Sequence, residues 1–176
     1  MAGVAAPRPL AATDDRESFD CGRDALNQWL RRHAWRNQQS GASRTSIICD
    51  QVTGAIAGYV SLSAAQIERV FLPKPAQRNQ PDPLPAILLG QLAVDRGQQG
   101  RGYARSLLWF ALNTAVRLSR DIGCFGVLTH PLDDDVRHFY RRFGFETLPG
   151  DPDRAMMVRI IDLERNGFPV SSPDND

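Results

Sequence analysis

Lysine is almost missing from this chain of 176 residues: Lys74 is the only one among 21 basic side chains. The positive charge therefore sits on arginine, which stays ionised and presents a planar fork suited to phosphate oxygens. Biased codon usage gives the same composition, so the bias alone assigns no ligand. Cysteine is also scarce. Cys21, Cys49 and Cys124 are widely spaced and form no C-x-x-C pair. That excludes a disulfide framework and a zinc ribbon, and it fits a reducing, cytoplasmic setting. His33, His130 and His138 show no H-x-x-x-H spacing, so no metal site is expected. No apolar run approaches the roughly 20 residues of a membrane helix. The opening M-A-G-V-A-A-P-R-P-L lacks a basic segment followed by a long apolar one, so no secretory signal and no membrane partner are expected.

What is present reads as a folded domain. Hydrophobic residues make up 42% and charged residues 23%, which is the balance of a globular chain rather than a disordered one. The length suits one domain with a real core, expected over 1–165, with a disordered tail over 166–176. The net charge of +1 suggests no nucleic-acid partner by itself, but the distribution is uneven. Asp14, Asp15, Glu17 and Asp20 crowd the segment 13–20. Arg23, Arg31, Arg32, Arg36 and Arg44 dominate 22–45 against Asp24 alone.

The periodicities predict a mixed α/β order. Leu26, Trp29, Leu30, Ala34 and Trp35 give an amphipathic helix over 24–39, with Arg31, Arg32 and Arg36 on its polar face. The two tryptophans fall on the apolar side and are expected in the core. Thr45–Cys49 and Ala55–Leu62 read as a hairpin around Val52-Thr53-Gly54. The proline-rich stretch 73–85 reads as an exposed connection without regular structure. Ala86–Val94 suits a buried central strand. A long amphipathic helix carries Ala104, Leu107, Leu108, Ala111, Ala115 and Val116. Cys124–Thr129 suits another buried strand. A helix over Asp133–Phe143 starts on an acidic run that favours capping and ends at Gly144. Phe145–Leu148 and Ala155–Ile161 suit a closing antiparallel pair. The alternation suggests a mixed sheet with helices on both faces.

Between the central strand and the long helix stands Gln99-Gly100-Arg101-Gly102-Tyr103-Ala104. A glycine-rich turn at a helix N-terminus leaves several backbone N–H groups pointing into one concavity, where a pyrophosphate can sit. Arg101 and Arg105 add charge. There is no G-K-[ST] and no G-x-G-x-x-G, so a Walker A loop and a dinucleotide fingerprint are both excluded.

This segment resembles the acyl-CoA motif Q/R-x-x-G-x-G/A of the GNAT N-acetyltransferases, here Gln99-x-x-Gly102-x-Ala104 after L-G-Q-L-A-V-D. The later D-D-D-V-R-H-F-Y-R-R-F-G-F-E is very like that family's terminal F-Y-x-x-x-G-F motif. The N-terminal F-D-C-G-R-D-A-L-N-Q-W-L and A-W-R-N-Q-Q-S-G-A-S-R-T resemble the opening of GNAT toxins of the TacT, AtaT and KacT type.

The resemblance implies a GNAT fold: a central, mostly antiparallel mixed sheet splayed in the middle. It implies acetyl-CoA as acetyl donor, with the thioester along Leu92, Ala93 and Val94 and the pyrophosphate held by Gln99, Gly100, Arg101, Gly102, Tyr103, Ala104, Arg105 and Ser106. It implies that the Val94 N–H stabilises the oxyanion and that Tyr140 is the general acid toward the departing sulfur. Phe139 is expected in the core. No general base stands out; Glu68 and Asp95 are possible, and an α-amine with a pKa of about 8 needs little help.

The toxin resemblance implies an aminoacyl-tRNA substrate contacted by Arg31, Arg32, Arg36 and Arg44, with arrest of translation. It further implies a ribbon-helix-helix antitoxin, DNA contact only through that complex, and a homodimer. Two alternatives stay open: an acetyltransferase for a small amine or a protein N-terminus, and a non-catalytic CoA-binding partner of a DNA-binding antitoxin.

Overall fold

A computed structural model describes residues 3–167. The expected disordered tail therefore lies outside the described residues beyond Gly167. The elements run β1 (Arg8–Pro9), α1 (Asp24–Trp29), a π turn (Leu30–Ala34), α2 (Trp35–Ser40), β2 (Arg44–Cys49) and β3 (Ile56–Ile67). They continue with α3 (Lys74–Gln77), β4 (Leu84–Val94), α4 (Tyr103–Leu118), β5 (Gly126–Thr129), α5 (Asp134–Arg141), β6 (Glu146–Thr147), β7 (Met156–Arg159) and α6 (Ile160–Arg165). The sheet order is β1-β2-β3-β4-β5-β7-β6, and the β1–β2, β2–β3, β5–β7 and β6–β7 pairs are antiparallel. The expected central strand is thus the fourth of seven.

The chain forms two compact units: residues up to Ser63 with Leu89–Ala111, and Ala64–Leu88 with Leu112 onward. In the first unit, α1 and the π turn bury Leu26, Leu30 and Ala34 with Phe19, Ile47, Ile56, Tyr59 and Ala93. Trp29 and Trp35 pack against this cluster as expected. Tyr59 is fully buried, and burial pushes its phenol well above the usual range. It stacks on Trp29 at 5.8 Å and meets Phe19 edge-on at 5.5 Å. Its hydroxyl donates to the Leu26 carbonyl at 2.8 Å, so one side chain of β3 fixes the height of α1. Gly58 on the same strand is required by close approach. A Cβ there would lie 2.9 Å from Leu107 Cδ1 and 3.0 Å from the Ala93 carbonyl oxygen.

In the second unit Ile67, Leu72, Leu84, Ala86, Leu128, Leu148 and Met157 form the core. Asp133 caps α5, its carboxylate accepting from Val136 N at 2.9 Å. Gly144, at φ +86°, closes the helix end in the left-handed region that favours glycine. Arg137, on the face of α5 that also carries Tyr140, is buried and donates to the Arg154 carbonyl and to Thr147 Oγ1. The helix is therefore anchored to the β6–β7 segment.

The structure corrects three local expectations. The helix over 24–39 is interrupted by a π turn at Leu30–Ala34. The proline-rich connection contains one helical turn, α3, and β4 begins inside it at Leu84. Pro75 sits at the second position of that turn, where a missing N–H costs nothing. The strand expected to reach Ile161 stops at Arg159, where α6 begins. Arg159 Nε and Nη2 bind the Asp162 carboxylate at 2.6 and 2.8 Å, holding that first turn.

Candidate functional site

The glycine-rich turn follows β4 directly. Gly100 and Gly102 have φ of +77° and +81°, values that side-chain-bearing residues rarely adopt. The space above both is open: a Cβ built at either meets nothing within 4 Å. The first intrahelical bond of α4 runs from Ser106 N to the Gly102 carbonyl. The N–H groups of Tyr103, Ala104 and Arg105 precede it and have no acceptor within the helix. Open space above the two glycines, three N–H groups without an intrahelical acceptor and the positive end of a 16-residue helix fit a pyrophosphate. Arg101 and Arg105 are exposed at its rim. The residues present thus fit the diphosphate of acetyl-CoA.

Gln99 has a different part. Its side-chain amide donates at 3.0 Å to both the Cys21 and the Val94 carbonyls. The side chain is a clamp on the turn's entry, and only the Gln99 backbone faces the role expected of it. Val94 lies one residue before Asp95, whose N–H donates to the Ala57 carbonyl of β3 at 2.9 Å. Successive amides of a strand point to opposite sides. The Val94 N–H therefore points away from β3, on the side where a thioester oxygen could be met. Leu92 is half-buried and Ala93 and Val94 are buried, so the strand end is held by its side chains.

Tyr140, in the second unit, is 4% exposed. Its ring packs on Phe139 at 5.4 Å and on Phe145 at 5.1 Å. Burial pushes its phenol up to about 12, opposed by a hydrogen bond with the Thr129 side chain. The hydroxyl is therefore a proton carrier at neutral pH. Thr129, at the end of β5, carried no sequence signal. Phe139 is half-buried rather than core, with Arg142 over its ring at 5.6 Å.

Asp95 has a structural part in its own turn. Its two carboxylate oxygens accept from Asp20 N at 3.0 Å and Gly97 N at 2.9 Å. Glu68 is exposed next to a short 3-10 turn.

The four arginines divide. Arg32 and Arg36 are exposed. Arg31 donates to the Phe19 carbonyl at 2.9 Å and lies 3.9 Å from Glu17, so it holds the N-terminal segment. Arg44 donates to the Gln38 carbonyl at 2.7 Å and fastens the end of α2.

A cavity of about 270 Å³ in the second unit is lined by Leu72, Phe125, Glu146, Leu148 and Arg159 among others. None of the residues expected to hold acetyl-CoA lines it. Among the described residues no group of three or more His, Cys, Asp or Glu could hold a metal ion, and no helix is long and apolar enough to cross a membrane.

The profile of the acetyltransferase (GNAT) family matches residues 12–145. The chain belongs to this family. It has the fold of a GNAT acetyltransferase and is an enzyme that uses acetyl-CoA.

Among its relatives is the "tRNA-acetylating toxin" of Mycobacterium tuberculosis (strain ATCC 25618 / H37Rv). It is 39% identical over 158 residues, covering 90% of this chain and 94% of the relative. AtaT complexed with acetyl-methionyl-tRNAfMet superposes with a TM-score of 0.86 at 30% identity, over 93% of this chain and 99% of that one. A mutant AtaT toxin bound to the C-terminus of the antitoxin AtaR and acetyl-CoA has a TM-score of 0.78 at 26% identity, over 93% and 97%.

Proposed function

We propose that this GNAT enzyme transfers the acetyl group of acetyl-CoA to the α-amine of an aminoacyl-tRNA in the cytoplasm and so stops translation. One observation carries the reading: the match to a tRNA-acetylating toxin runs over nine-tenths of both chains. The likeness to AtaT with its acetylated tRNA supports the same acceptor. In the same reading, a ribbon-helix-helix antitoxin restrains the enzyme, DNA is met only through that complex, and the toxin acts as a homodimer.

Bound acetyl-CoA supplies an activated acetyl thioester. The chain's residues do the rest. Residues Gln99 to Ser106 form the turn that holds the pyrophosphate, through the N–H groups that precede Ser106; the Ser106 N–H itself is taken by the Gly102 carbonyl. The Val94 N–H meets the carbonyl oxygen as it gains charge. The Tyr140 hydroxyl gives its proton to the departing sulfur. An α-amine with a pKa of about 8 is partly neutral at physiological pH, so the acceptor needs orientation more than a strong base. Arg32 and Arg36, with the free N–H groups of Arg44, contact the tRNA phosphates; Arg31 supports them from beneath.

The test is incubation of the purified protein with labelled acetyl-CoA and total charged tRNA. Label on the tRNA pool that disappears after deacylation is the expected result. Label only on polyamines or peptides would replace this acceptor with a small amine or a protein N-terminus.

A further inference from the structure

The segment Phe19-Asp20-Cys21-Gly22 has no part in the reaction described so far, yet it is wired to the acyl-CoA turn. Four contacts join it to residues 95–99. Asp20 N donates to Asp95 Oδ2 at 3.0 Å, and Arg96 N donates to the Asp20 carbonyl at 2.8 Å. The Arg96 guanidinium lies 3.5 Å from the Asp20 carboxylate, and Gln99 Nε2 donates to the Cys21 carbonyl at 3.0 Å. Gly22, at φ +87°, leaves room for Arg96; a Cβ there would stand 2.9 Å from its Nε.

The centre of this wiring is Asn27 on α1. It is 6% exposed, a polar side chain in an apolar layer. Its Oδ1 accepts from Cys21 N at 2.9 Å, and its Nδ2 donates to Asp20 Oδ1 at 2.8 Å. The same carboxylate oxygen of Asp20 accepts from Gly22 N at 2.8 Å. These bonds hold the Asp20 carboxyl below its usual range. Asn27 thus fixes the Asp20–Cys21 peptide directly and, through the Asp20 carboxylate that accepts from Gly22 N, the Cys21–Gly22 peptide that carries the Cys21 carbonyl. The Cys21 carbonyl fixes the Gln99 amide, and that amide also grips the Val94 carbonyl. One chain of bonds runs from α1 to both ends of the donor site, the strand residue at the thioester and the turn at the diphosphate. The helix itself is held in height by Tyr59.

We propose that Asn27 is a positioning residue for acetyl-CoA, acting through Cys21 and Gln99 to set the glycine-rich turn and the Val94 amide. The inference rests on the reading of residues 92–106 as the donor site.

Asn27→Leu keeps the branched shape and removes both bonds; Gln99→Met removes the clamp at an exposed position, where no core packing is lost. Each variant is expected to raise the KM for acetyl-CoA about tenfold, the effect of losing one or two hydrogen bonds. The KM for aminoacyl-tRNA stays near wild type, whereas kcat at saturating acetyl-CoA falls modestly as well, because the same chain of bonds sets the Val94 N–H that meets the oxyanion. The double variant is expected to be little worse than either single one, because both break the same chain of bonds. Asn27→Gln does not rescue, since its longer arm displaces the Cys21 peptide. Wild-type acetyl-CoA parameters in Gln99→Met, or additive losses in the double variant, overturn the proposal. A wild-type protein that binds no acetyl-CoA by calorimetry would instead defeat the donor-site reading itself.

Discussion

At the scale of single residues, environment rather than identity gives each group its role. Tyr140 and Tyr59 are both buried phenols. Tyr59 is tied to a helix carbonyl within a closed cluster. Tyr140 stands in the last turn of α5, with Thr129 as its hydrogen-bond partner, and is the acid of the proposed reaction. Tyr140→Phe keeps the ring packing on Phe139 and Phe145 and removes the hydroxyl with its proton and its hydrogen bond to Thr129. We expect kcat to fall by ~10²–10⁴ while acetyl-CoA still binds. Because burial holds this phenol up to about 12, it stays protonated throughout the working range. The rate should rise with pH as the acceptor α-amine deprotonates near about 8. It should show no descending limb between pH 8 and 10; such a limb in the kcat profile would remove Tyr140 as the acid.

At the scale of elements, the proposed diphosphate site before α4 depends on two glycines whose left-handed backbone angles leave the space above the helix's first N–H groups open. Gly102→Ala has no steric clash to resolve, since the space above it is open. Its cost is conformational, about 1–2 kcal/mol for a side chain at positive φ. Thermal melts should show that loss, and calorimetry should show weaker acetyl-CoA binding, because relieving the strain turns the free N–H groups away. A variant that loses stability but binds acetyl-CoA as before would argue that the helix end does not hold the diphosphate. The π turn has a related logic. It interrupts a helix whose apolar positions 26, 30 and 34 are all buried, while leaving Arg32 and Arg36 in solvent.

At the scale of the whole molecule, charge governs both stability and the proposed encounter with tRNA. The hydrogen bonds from Arg8, at 2.7 and 3.0 Å, hold the Asp14 carboxyl below its ordinary value. A carboxyl whose pKa is lowered on folding contributes stability that is complete above its unfolded value of 3.8. That contribution is lost as pH falls through the lower folded value. Asp14→Asn should therefore be less stable at neutral pH and show a flatter decline below pH 4 in denaturant titrations. For the substrate, the double variant Arg32→Ala, Arg36→Ala should weaken aminoacyl-tRNA binding at every sequence tested. It should also lower the slope of log K against log salt by about 1.5, at roughly 0.7–0.9 per lost phosphate contact. An unchanged slope would return this helix face to plain solvation.

The sequence by itself determined the family, the element order around the donor turn, and the cap at Asp133, because each depends on local rules. Glycine permits positive φ, a short acid side chain caps a helix, and an apolar run fills a central strand. It also carried the hairpin over Thr45–Cys49 and the closing pair of β6 and β7. The tertiary structure alone decided which polar groups were already engaged. Gln99 looked like a phosphate ligand until its amide was found on Cys21 and Val94. Asp95 was only one possible base, and the fold showed its oxygens accepting from Asp20 N and Gly97 N. Arg31 looked like its neighbour Arg32 until it was found on Phe19. Asn27 gave no sign at all. A hydrogen bond between residues tens of positions apart leaves no periodicity to read, since it depends on how helices and strands pack rather than on what neighbours what along the chain.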